Sequence, residues 1–159
     1  MSKWFYMNGL VLLLVVGKFI LDDTPISSQV PMLFGLFGLV FLLFNWTRHA
    51  VFSTIRNAPE REVKIKFANM SKKVMPFHRW TGTTALLFII IHFILITNRY
   101  GGFYFQNIKM ATGGLAAIVL LLMVTSGWVR LVHPTVKMRK IHLFLGFSLF
   151  FTVVFHLIL

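Results

Sequence analysis

Two stretches of this 159-residue sequence set the same residue types at the same intervals. One begins at His78 and reads HRWTGTTALLFIIIHFIL; the other begins at His142 and reads HLFLGFSLFFTVVFHLIL. In each, a histidine is followed by three residues, a glycine, nine residues and a second histidine. His78–His92 and His142–His156 are therefore both spaced by fourteen. A neutral imidazole is a strong ligand for transition metals, and metal ligation is the chemistry such a repeat could serve. Fourteen residues make just under four helical turns, so on a helix both histidines of a pair share one stripe, about 21 Å apart along the axis.

The elements that must carry these histidines are apolar. Hydrophobic residues make up 57% of the chain and charged residues 13%, against about a quarter in a soluble domain. Five stretches approach the ~20 apolar residues that cross a bilayer: near 4–21, 30–50, 78–97, 111–132 and 142–159. The fold expected is all-α, an integral membrane helical bundle of about five transmembrane helices forming a single domain over 1–159. The first stretch lacks a small-residue cleavage site and reads as a retained helix.

Charge falls between the spans. The first connection holds Asp22 and Asp23 and no base, whereas the second, a basic loop over 51–77, carries Arg56, Arg61, Lys64, Lys66, Lys72 and Lys73. Arg130, Lys137, Arg139 and Lys140 mark the fourth connection. By the positive-inside rule this alternation predicts a multi-pass protein of the plasma or cytoplasmic membrane with a cytoplasmic N-terminus. The net charge of +12 is explained in the same way, which sets nucleic-acid binding aside. The basic stretch is a topogenic loop on one reading, and a surface drawing anionic lipid or an acidic partner on another. Trp4, Trp46, Trp80 and Trp128 fall near span ends, where interfacial aromatics are expected.

With one helix between them, the third and fifth spans run in the same direction. His78 is then level with His142, and His92 with His156, which predicts two facing imidazole pairs at different depths. A haem iron takes two axial ligands, and facing histidines on neighbouring helices supply them. Gly82 and Gly146 lie one turn after the first histidine of each pair. A missing side chain there admits a flat macrocycle, or equally a close helix–helix contact. One intramembrane histidine would as readily be a hydrogen-bonded core residue; four at duplicated spacing favour ligation, because buried ionisable groups are costly. His49 and His133 lack the pairing and are expected at the interface. The eight methionines are scattered as apolar filling. Arg79, Arg139 and Lys140 flank the inner histidines, where they suit haem propionates and topology equally well. The chain has no cysteine, which excludes iron–sulfur clusters and covalent haem attachment.

These segments resemble the haem-binding core of the ferric reductase-like transmembrane domain family, which includes ferric reductases, NADPH oxidases and the haem-binding membrane partner of periplasmic methionine sulfoxide reductase. The resemblance covers roughly 73–159, and the stretch GGLAAIVLLLMVTSGWVR between the repeats looks like the family's intervening helix. It implies two haem b groups between the third and fifth spans, with iron ligands His78, His92, His142 and His156. The family usually has a sixth helix, and many members continue into a flavin and nicotinamide domain. No G-x-G-x-x-G unit is present here, so no flavin is expected within this chain. Electrons would come from a separate flavoprotein or a membrane quinol and leave to an extracytoplasmic acceptor. Three other readings stay open: a haem-bearing anchor subunit of a larger reductase, a quinone-linked diheme oxidoreductase, and a haem-free scaffold.

Overall fold

A computed structural model describes residues 3–21, 26–74 and 76–159. Among them the chain forms six helices: α1 Lys3–Ile20, α2 Ile26–Asn57, α3 Arg61–Val74, α4 Phe77–Arg99, α5 Ile108–Val132 and α6 Val136–Ile158. Five of these, all but α3, are long and apolar enough to cross a membrane. Their surfaces agree with lipid as the solvent. Leu13 is 73% exposed and Phe144 71%, and large apolar side chains stand outward along every spanning helix. The chain is a multi-pass integral membrane protein built as a helical bundle.

The apolar runs give the spanning helices, and short polar signals end them. Asn107 caps α5 by accepting from the amide of Met110, and Thr135 caps α6 by accepting from that of Met138. Between α4 and α5, Gly101 and Gly102 take φ values of +73° and +153°, which side chains disfavour. The turn brings Phe103 against Phe93, ring centroids 5.6 Å apart.

Two expectations need correction. The stretch 51–77 is largely helical: α2 runs on to Asn57, and α3 occupies Arg61–Val74. Its mixed composition hid an amphipathic period in which Val63, Phe67, Met70 and Val74 recur on one side. The fifth span begins earlier than 142, at Val136, because Thr135 after Pro134 starts a helix whose first two turns are basic. His142 therefore sits well inside α6, whereas His78 is the second residue of α4. Asp22 and Asp23 of the first connection lie outside the described residues.

The helices divide into two compact units. One takes α1, α2 from Leu36, α3 and α4 as far as Ala85. Its core is a stripe along α2, in which Leu39, Leu42, Leu43, Trp46 and Ala50 are buried at helical spacing. Trp46, expected at an interface, is instead 4% exposed, edge-on to Trp4 at 5.6 Å and 4.3 Å from the ring of half-buried His49. Asn8 is buried beside it, its amide donating to the Leu43 carbonyl over 3.4 Å. Trp80 and Trp128 are exposed. The other unit takes α2 up to Gly35, α4 from Leu86, α5 and α6. Here α5 packs along α6, burying Ala116, Leu120, Met123, Leu149 and Phe150.

Candidate functional site

All four repeat histidines are half-buried, and each is held at Nδ1 by a neighbouring helix. His92 donates from Nδ1 to the carbonyl of Pro31 on α2, over 2.7 Å. His142 donates to the Met123 carbonyl at 3.2 Å and the Ser126 hydroxyl at 2.9 Å, both on α5. His156 donates to the Lys109 carbonyl at 3.1 Å and the Thr112 hydroxyl at 3.3 Å, also on α5. His78 donates to Oδ1 of Asn45 on α2 at 2.9 Å, and the same oxygen takes the Thr81 hydroxyl at 2.7 Å.

One local rule builds three of these sites. The glycine four residues after the accepting carbonyl leaves a notch for the imidazole: Gly35 after Pro31, Gly113 after Lys109, Gly127 after Met123. A methyl group added at Gly35 would stand 3.0 Å from His92 Nδ1, and one at Gly113 would stand 2.9 Å from His156 Cε1. At Gly127 the distance to His142 Cε1 would be 3.3 Å. On α5 the residue before the glycine is a hydroxyl both times. Ser126 hands its own proton to the Met123 carbonyl over 2.7 Å, and Thr112 bonds back to Ile108 over 2.8 Å. Each oxygen thereby keeps a lone pair for the imidazole N–H.

The histidine spacing is thus copied in the helices that hold them. Thr112-Gly113 and Ser126-Gly127 are fourteen apart on α5, as His142 and His156 are on α6. Pro31 and Asn45 are fourteen apart on α2, as His78 and His92 are on α4. At Asn45 the residue four positions on is His49, not glycine, and the side-chain amide takes the part of a carbonyl.

A carbonyl oxygen only accepts, so the Nδ1 atoms facing one carry the proton. In a neutral imidazole the lone pair is then on Nε2, the atom through which a histidine commonly binds metal. A second-shell carbonyl on the opposite nitrogen also fixes ring orientation and makes the ligand more basic. The donor set therefore fits a haem iron, which these histidines would hold through Nε2. Among the described residues no three or more His, Cys, Asp or Glu side chains cluster as metal ligands. His92 and His156 belong to one unit.

The remaining site candidates fall as follows. Gly82 is buried, and a methyl there would meet Asn45 Nδ2 at an ordinary 3.5 Å, so the glycine lies beside the residue that holds His78. Gly146 is buried on α6. Arg79 is exposed at the start of α4, and Arg139 and Lys140 are exposed one turn before His142. His133 is exposed at the end of α5.

Asn45, Pro31, Gly35, Thr112, Gly113, Ser126 and Gly127 were not singled out by the sequence reading. The hydroxyl–glycine pairs fourteen apart on α5 are a signal that could have found four of them. Comparisons with known protein families, characterised proteins and solved structures gave no match.

Proposed function

We propose that this chain is a membrane electron carrier of the b-cytochrome type. His92 and His156 would hold one haem, on the support of their shared unit and their Nδ1-anchored rings. The second pair, His78 and His142, is proposed from the repeat in the sequence. The observation that carries the reading is the common fate of Nδ1: four histidines at duplicated spacing each give that nitrogen to an acceptor on a neighbouring helix. A merely structural histidine needs no such repetition.

When bound between two imidazoles, haem supplies a one-electron iron couple with no open coordination position, which suits outer-sphere transfer. The chain's own part is to fix ring orientation from α2 and α5, on helices apolar enough to cross a membrane. Five spanning helices carry no buried carboxylate among the described residues, so a proton relay has no evident acid. The distribution of bases supports a cytoplasmic N-terminus in a plasma or cytoplasmic membrane, with a flavoprotein or quinol as donor and an acceptor on the opposite side. Alignment of the repeat with the ferric reductase-like family is part of the same proposal.

The test is a reduced-minus-oxidised spectrum of the purified chain with haem quantified per polypeptide. Low-spin b-type bands and two haems per chain are expected. A haem-free preparation from haem-replete cells would sink the reading.

A further inference from the structure

The helix α3 stands outside this reading, and we infer that it is an interfacial helix which binds anionic phospholipid headgroups. Arg61–Val74 carries five bases, Arg61, Lys64, Lys66, Lys72 and Lys73, against the single acid Glu62. None of its residues is buried. Val63, Phe67 and Val74 are half-buried along one side. On the outward arc, Arg61, Lys66, Lys72 and Lys73 flank Ile65, 49% exposed, and on the apolar side Met70 is still 43% exposed.

Position decides between a membrane and an acidic protein as occupant. Within its unit, α3 is tied to the end of α2 at Asn57 and to the start of α4 at Phe77 by short connections. Both ends are therefore held at the level where spanning helices leave the hydrocarbon. Exposed Ile65 and Met70 would be wasted on water, but at the acyl–headgroup boundary they are solvated. Phe77 and Trp80, 61% and 66% exposed in the first turn of α4, mark the same boundary. Long lysine stems lie along such a surface and lift their charges to the phosphates. Beside the first turn of α3 an open cavity of about 530 Å³ mixes Lys3, Asn57 and Glu60 with Trp4, Pro59 and Val63, a wall suited to a headgroup and the top of its chains. Basic residues beside a bilayer attract acidic lipids, and the effect is screened by salt.

The chain has no cysteine, so a single Asn69→Cys substitution on α3 takes one reporter label. The full-length protein is placed in nanodiscs of phosphatidylcholine doped with brominated phosphatidylglycerol or brominated phosphatidylcholine. Quenching of the label by the acidic lipid should correspond to an enrichment on the order of tenfold, and it should shrink toward unity in high salt. Replacing Lys66, Lys72 and Lys73 by Gln should abolish the preference. The Lys→Arg triple variant should keep it, which separates charge from misfolding. Equal quenching by the two lipids would overturn the inference and leave the basic face to an acidic protein. Because the label reports lipid rather than haem, the outcome is independent of whether the histidines bind iron.

Discussion

At the scale of single residues, the four imidazoles are held by atoms that sequence types barely advertise. The hydroxyls of Ser126 and Thr112 share an N–H with a carbonyl, so deleting one removes part of a bond, about 1 kcal/mol. Ser126→Ala is expected to weaken haem retention at His142 about fivefold, read from haem loss on competition with apomyoglobin. The glycine notches are stricter, since a β-carbon cannot rotate away. The distances rank the outcomes: Gly113→Ala presses hardest on its histidine, Gly35→Ala and then Gly127→Ala ask theirs to give by a few tenths of an ångström, and Gly82→Ala fits. Overpacking of this kind costs about 1–3 kcal/mol. Haem content and thermal midpoint of the four variants should follow that order, with Gly82→Ala near wild type. A severe Gly82→Ala with a mild Gly113→Ala would contradict the seating described here.

At the scale of elements, the spacing of fourteen belongs to four helices rather than two. The histidine repeats on α4 and α6 were plain in the sequence because histidine is rare in apolar surroundings. Their counterparts were not, because main-chain carbonyls are present at every residue and carry no letter of their own. Only the glycines that uncover them, and the hydroxyls beside them, leave a trace. The helix α3 was illegible for a different reason: fourteen residues of mixed polarity look like a loop until the period of Val63, Phe67, Met70 and Val74 is counted. Trp46 was misread because nearness to a span end says nothing about which face of α2 it occupies. The register itself can be tested. One alanine inserted in α5 between Gly113 and Ser126 rotates one holder by 100° relative to the other. Such a variant should retain one of the two proposed haems, whereas the same insertion in the 100–107 connection should leave both. The haem-to-chain ratio decides it.

At the scale of the whole molecule, the fold class and membrane character followed from composition alone, since 57% apolar residues in long blocks have few other solutions. Stoichiometry is the global readout of the proposed function. His92→Ala and His156→Ala should each lower the haem content from two per chain to one, with the pair no worse together than singly. If both single variants keep two haems, the assignment of ligands fails. Orientation is equally accessible, because a cysteine-free chain accepts single thiols. With a cytoplasmic N-terminus, Asn69→Cys should react with an impermeant reagent in inverted vesicles, and Gln106→Cys in right-side-out ones.

The kind of acceptor at each histidine also bears on how the protein tolerates variation. A main-chain carbonyl survives nearly any substitution at its own position, so the holds on His92, His142 and His156 persist whatever side chain stands at 31, 123 or 109. The Nδ1 bond of His78 ends on the amide of Asn45, and one codon change can delete it. In a saturation library selected for haem assembly, positions 109 and 123 should therefore accept broad replacement, while position 45 admits few residues besides those with a side-chain oxygen of similar reach. Heritable change in the strength of a ligand's second shell would then concentrate at His78, the histidine at the basic end of α4.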